Sequence, residues 1–205
     1  MSFFDICKRG LDIFISLIAL VVLIPLIIAL IITVRLTSKG PAIFKQQRAG
    51  RNGKPFVFYK FRTMAADADP FGPSPKSSSD KRLTKFGRFL REYSLDELPQ
   101  FVNILKGDMS LVGPRPLYLS QIQEWSERQK KRLLVKPGLT GLAQVSGRGG
   151  LTREQKLELD VNYAETASFW IDLKIIIITF IRVFGRKDIY ENKYSQTEYT
   201  RTTKS

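Results

Sequence analysis

The sequence predicts an α-dominant α/β fold in a single membrane-associated domain. Three observations carry that expectation. No charged residue occurs between Ile13 and Val34, so the chain opens on a long apolar helix. An Asn52-Gly53 pair separates two short apolar and aromatic segments, the signal of a small β-hairpin. The rest of the chain shows helical spacing punctuated by turn residues, with no internal repeat and no second domain.

The apolar run, "IFISLIALVVLIPLIIALIITV", would reach roughly 33 Å if straight, enough to cross a bilayer. It lacks a small-x-small cleavage site, so removal as a signal peptide is not expected. Two features oppose simple crossing. Pro25 sits in the middle, where its ring and missing amide bend a helix. Both flanks are basic, with Lys8 and Arg9 before the run and Arg35, Lys39, Lys45 and Arg48 after it. Cations favour the cytoplasmic side, so both ends are drawn to one face. A re-entrant helix kinked at Pro25 satisfies both features; a straight anchor with a tolerated kink is the other option.

Residues 42–64 read as the hairpin, with "AIFKQQ" and "FVFYKF" on either side of the turn. "DADPFGPSPKSSSD", residues 67–80, reads as a loop, either a passive connector or a lid. Leu83, Phe86, Phe89 and Leu90 then fall at helical spacing, with Lys85, Arg88 and Arg91 on other faces. A second helical stretch is expected over "SLDELPQFVNIL", followed by the turn-rich "KGDMSLVGPRPL". Residues 119–134 look like a charged surface helix, and residues 136–150 are glycine-rich. Residues 151–163 form a helix that Thr152 can cap. In "SFWIDLKIIIITFIRVFGRK" the uncharged run from Ile175 to Ile181 is too short to span. With Trp170 at one end and cations around it, the segment suits a membrane interface, or alternatively a buried core helix. The division expected is 1–38 for the membrane helix, 39–190 for the main domain and 191–205 for a polar tail.

Composition limits the chemistry. The 205 residues include 33 Lys and Arg against 19 Asp and Glu, a net charge of +14. Anionic partners follow: nucleic acid, acidic lipid, or phosphate-bearing substrates. With no histidine and only Cys7, an internal disulfide and the usual zinc site are excluded. Acid, base, nucleophile and metal-ligand roles therefore fall mostly to carboxylates, and oxygen ligands suit a hard cation.

Asp96 and Glu97 stand adjacent in "SLDELPQF". One reading is structural: Ser94 and Glu97 have capping-box spacing. Pro99 complicates it, because a helix starting at Ser94 would put proline several residues inside, so the helix is distorted or begins later. Adjacent helical positions point about 100° apart, so the two acids suit different jobs rather than one shared proton. Cations fit for phosphate lie around them in sequence: Lys60 and Arg62 in "YKFRTM", Arg88 and Arg91, and Arg115 between two prolines in "GPRP".

"YKFRTM", "SLDELPQFVNILKGDMSLVGPRP" and "KPGLTGLAQVSGR", in that order, closely resemble the bacterial sugar transferases, specifically the small monotopic phosphoglycosyl transferases. The resemblance runs from the apolar segment to "SFWIDLKI", most of the chain, and its length looks like the catalytic-core type. It implies transfer of a phospho-sugar from a UDP-sugar to polyprenol phosphate, with release of UMP, on the cytoplasmic face of the bacterial inner membrane. It also implies a re-entrant helix and magnesium. Members often carry Ser-Pro at the bend, where this chain has Ile24-Pro25. By position, Asp96 matches the nucleophile and Glu97 its acidic partner, both near Mg2+. Lys60, Arg91 and Arg115 match phosphate-binding positions, and Asp172, with Arg88, is assigned to site electrostatics. Membrane lipids are expected partners and nucleic acid is not. The competing class is a basic, membrane-tethered binding module for nucleic acid or acidic lipid, which would need no Asp-Glu pair.

Overall fold

A computed structural model of the chain describes residues 3–69, 72, 74–185 and 190. The expected polar tail at 191–205 lies outside the described residues. Helix α1 (Phe3–Thr37) is 35 residues long and begins before the uncharged run, taking in Asp5, Lys8, Arg9 and Asp12. Helical structure continues through Pro25.

Both ends of α1 pack on the rest of the protein. Near its start, Arg9 donates to the carbonyls of Ile104 (2.6 Å) and Leu105 (2.8 Å). Asp12 accepts from the Leu111 amide (2.9 Å) and the Ser110 hydroxyl (3.0 Å). Near its end, Leu30 and Val34 bury against Ala42, Phe61 and Leu90. A fully buried side chain of this kind contributes about 1.5–3 kcal/mol. Between these anchors the apolar side chains are uncovered, as at Phe14 (62% exposed) and Val22 (68%).

The hairpin forms as expected from β1 (Ile43–Ala49) and β2 (Pro55–Phe61), antiparallel with Gln46 opposite Phe58. Its turn is wider than the two-residue form. Asn52 and Gly53 do adopt positive φ, 57° and 73°, but pairing stops at Ala49 and Pro55. Residues 50–54 close through the Gly50 amide on the Lys54 carbonyl (2.8 Å) and a short 3-10 turn at Arg51–Gly53.

Helix α2 (Lys85–Glu92) fits the spacing and starts where Thr84 accepts from the Gly87 amide at 2.8 Å. The "SLDELPQFVNIL" stretch differs from one capped helix. Ser94 is left-handed (φ 57°) and makes no side-chain cap, Leu95–Glu97 is a 3-10 turn, and α3 runs over Gln100–Lys106. Pro99 supplies the reason: without an amide it belongs before the first hydrogen-bonded turn, so the helix begins after it.

Residues 119–134 are likewise three pieces rather than one helix. Two 3-10 turns, Leu119–Glu124 and Lys131–Leu134, flank α4 (Glu127–Lys130). Trp125 is extended, and Ser126 restarts the chain with a capping box to Gln129, which stops the first turn from propagating. A parallel pair that periodicity does not reveal joins β3 (Ser110–Val112) to β4 (Gly138–Thr140). The glycine-rich segment continues into α5 (Leu142–Ser146). Helix α6 (Arg153–Thr166) has the expected Thr152 cap. Helix α7 (Phe169–Gly185) buries Ile175 and Asp172 while Trp170, Phe180 and Ile181 stay exposed.

Candidate active site

Alternation on the hairpin sends Phe44, Gln46 and Arg48 of β1, with Phe58 and Lys60 of β2, toward one cavity. Phe61 on the opposite face is fully buried against α1. Helix α2 crosses the chain just beyond β2. A Cβ on Gly87 would lie 2.0 Å from the Thr63 carbonyl oxygen, so only glycine permits the approach. That crossing carries Arg91 to the cavity wall. The left-handed Ser94 then turns the chain sharply, and the 3-10 turn presents Asp96 and Glu97. Opposite them, the Gly113-Pro114-Arg115-Pro116 segment is tied down: the Gly113 amide donates to Thr140, and Pro114 accepts from Gly138, both at 2.9 Å.

The cavity has a volume of about 610 Å³ and is walled by Lys60, Arg91, Asp96, Glu97 and Arg115, among others. Asp96 is 6% exposed. Burial, then the charge of Glu97, pushes its carboxyl up to about 6, against the pull of Arg91, Lys60 and Arg115. Burial, then repulsion from Arg91, brings Lys60 down to about 8. Arg115 Nη2 donates to Glu97 Oε1 at 2.9 Å. The two acids therefore have unequal surroundings: Glu97 is paired to a guanidinium, and Asp96 is enclosed beside a lysine and two arginines. A desolvated carboxylate facing fixed cations is suited to attack on phosphorus, with the cations left to hold phosphate oxygens.

Six of the charged residues singled out in the sequence, Lys60, Arg62, Arg91, Asp96, Glu97 and Arg115, thus line one cavity, and others do not. Arg88 is exposed on α2 and does not line it. Asp172 forms an ion pair with Lys8 and accepts from the Tyr163 hydroxyl at 2.6 Å, so it ties α7 to α1 and α6. Arg62 lines the cavity, yet its guanidinium donates to the Ser38 carbonyl (2.8 Å) and the Gly40 carbonyl (3.1 Å), bracing the end of α1. Pro25 lies within α1, away from the cavity lining.

Sequence reasoning passed over Arg48, which lines the cavity and stacks on Tyr118 with its guanidinium 3.6 Å from the ring centroid. The two-residue period that places Lys60 could have placed Arg48 on the same face. It also missed Arg132 and Asp160, a buried pair joined at 2.7 Å. No local pattern marks that pair.

Comparisons with known proteins show the family. The family model described as "Bacterial sugar transferase" matches residues 3–186. The chain is 44% identical to "Uncharacterized sugar transferase EpsL" of Bacillus subtilis (strain 168), over 94% of this chain and 95% of that protein. It is 46% identical to "Galactosyl transferase CpsE" of Streptococcus agalactiae serotype III (strain NEM316), over 85% of this chain. It is 43% identical to "UDP-glucose:undecaprenyl-phosphate glucose-1-phosphate transferase" of Klebsiella pneumoniae, over 89% of this chain. The matched region is 41% of the length of each of these last two proteins.

Proposed function

The chain belongs to the bacterial sugar transferase family, and from that premise we propose that it moves a phospho-sugar from a UDP-sugar to polyprenol phosphate. The observation that carries the reading is the buried Asp96 beside Glu97 in a cavity walled by Lys60, Arg91 and Arg115. A basic binding module has no use for a desolvated carboxylate among its cations.

An Asp96 carboxylate oxygen attacks the β-phosphorus of the donor. The bond from that phosphorus to the bridging oxygen breaks, and UMP leaves with the oxygen. The resulting acyl phosphate carries the sugar on Asp96. A phosphate oxygen of polyprenol phosphate then attacks the same phosphorus, expelling the Asp96 carboxylate and forming polyprenyl-diphosphate-sugar. Lys60, Arg91 and Arg115 hold the phosphate oxygens as charge shifts among them. Arg115, planar and paired to Glu97, sits at the junction of the acidic and basic walls.

Among the described residues no group of three or more carboxylate or thiol ligands gathers. Asp96 and Glu97 still fit magnesium, which is commonly held by one or two carboxylates and completed by substrate phosphates and water. Burial first, and then the charge of Glu97, raises Asp96, and a bound cation would relieve that second cause. Bound there, the ion would neutralise diphosphate charge.

The placement we propose is the cytoplasmic face of the bacterial inner membrane. Helix α1 is long and apolar enough to cross a membrane, and its middle is uncovered. Its two ends nevertheless contact one catalytic body, through Arg9 and Asp12 at the start and Leu30 and Val34 at the end. That arrangement supports a re-entrant helix, with the exposed apolar side chains of α7 lying at the interface. The test is UMP release from a panel of UDP-sugars with undecaprenyl phosphate and magnesium. Release with one donor is expected, and silence with every donor would overturn the reading.

A further inference from the structure

Behind the cavity wall lies a side-chain cluster that the proposed chemistry leaves unassigned. Arg132 and Asp160 are both 3% exposed. Arg132 Nε and Nη2 donate to Asp160 Oδ2 at 3.1 and 2.7 Å. The guanidinium also lies over the Trp125 ring, 4.9 Å from its centroid. A buried pair of this kind gives little stability on balance, because desolvation of two charges offsets their attraction. A third contact points to another purpose: Arg132 Nη2 donates to the Arg115 carbonyl at 2.6 Å.

That carbonyl belongs to the "GPRP" segment that presents Arg115 to Glu97. Neighbouring carbonyls in the segment are held by backbone: Pro114 by the Gly138 amide and Leu117 by the Ala49 amide, each at 2.9 Å. Pro114 and Pro116 have no amides to give. At Arg115 itself the tie comes from a side chain, and it reaches 17 residues along the sequence. Asp160 and Trp125 fix where that side chain sits. Asp160 also lines the cavity, so the cluster backs directly onto the site.

We propose that Arg132, clamped between Asp160 and Trp125, is a positioning residue that sets the Arg115 guanidinium against Glu97 and the donor diphosphate. The assignment rests on the phosphate-holding role given to Arg115 above. Lysine at 132 keeps the charge but lacks the fork that serves Asp160 and the Arg115 carbonyl together. A small displacement of a clamp can cost on the order of tenfold to a hundredfold in rate.

The experiment is a double-mutant cycle on the full chain, using Arg132→Lys, Arg115→Ala and the pair, read as kcat and KM for UMP release and as UDP affinity by calorimetry. Melting temperature is followed throughout. Arg132→Lys should lower kcat about tenfold with the fold intact, and should add less than about twofold once Arg115 is already alanine. A purely structural role moves both backgrounds equally, so full additivity overturns the inference. Unchanged kcat in folded Arg132→Lys overturns it too. Should that variant unfold, Asp160→Asn enters the same cycle; if both unfold, the pair is a folding element and the inference fails. The two readouts separate the levels of claim. Wild type that binds UDP but turns over no donor sinks the proposed reaction, while non-additive UDP affinities would still support the Arg132–Arg115 coupling.

Discussion

Arg115 Nη2 lies 2.9 Å from Glu97 Oε1, although 18 residues separate them in the chain. The contact joins the acidic turn to the basic "GPRP" segment at the cavity wall. Both partners keep some exposure, 45% and 16% of their side chains, so as an ion pair the contact adds little stability. Its value is geometric. Arg115→Lys should lower kcat/KM about tenfold or more while melting within about a degree or two of wild type, because a lysine cannot serve Glu97 and a phosphate oxygen with one planar fork. Wild-type kcat/KM in this variant would remove Arg115 from the phosphate wall.

Asp96→Asn keeps the size of the side chain and removes its nucleophilic oxygen. Turnover should fall by about 10³-fold or more. Intact-mass measurement after donor alone should find the phospho-sugar on wild type, mapped to Asp96, and none on the variant. Normal turnover by Asp96→Asn would end the nucleophile assignment.

Lys60 supplies a pH dependence with a definite sign. Burial and Arg91 bring it down to about 8, and only the protonated amine holds phosphate. Activity is therefore retained below that value and lost above it, so kcat/KM should decline above about pH 8. Lys60→Arg, charged at all working pH values, should move that limb upward by about a unit or more. A limb that stays in place in the variant assigns the titration to another group.

The topology of α1 can be read with thiol reagents in sealed membranes. Cys7 is exposed near one end of α1, and Lys45 is exposed beyond the other. Native Cys7, and Lys45→Cys in a Cys7→Ser background, should both react from the cytoplasmic side. Labelling from opposite sides would make α1 a spanning helix.

Gly87→Ala tests how α2 reaches the site. The added methyl would meet the Thr63 carbonyl at 2.0 Å, with backbone on both sides of the clash. A loss of about 1–3 kcal/mol is expected, seen as a melting temperature lowered by several degrees. Because the same crossing positions Arg91, activity should fall as well. Unaltered melting would show that α2 can slide without cost.

Much of the secondary structure was legible locally. The hairpin strands alternate, the spacing of Phe86 and Leu90 marks α2, and the cap at Thr152 stands at the start of α6. Even the awkward Pro99 announced a delayed helix, since its missing amide bears on its own turn. Errors arose where one pattern served two structures. Residues 119–134 have a helical polar face, yet an extended Trp125 breaks them, because its ring packs under Arg132 rather than along a helix. The short parallel pair of β3 and β4 was invisible, since a register between two three-residue strands is set by their meeting.

By itself the sequence determined the chemical inventory and its order: adjacent acids before a proline, a stiff arginine between prolines, an apolar run flanked by cations, and no histidine. Only the tertiary structure decided which charges meet. It put Lys60, Arg91 and Arg115 on the wall with Asp96, left Arg88 at the surface, gave Asp172 to Lys8, and tied Arg62, also on the wall, to the end of α1. The physical reason is that periodicity encodes the face a side chain occupies, with a reach of a few residues. The partner across a cavity is set by how whole elements pack, where one close approach, such as Gly87 against Thr63, decides which guanidinium arrives.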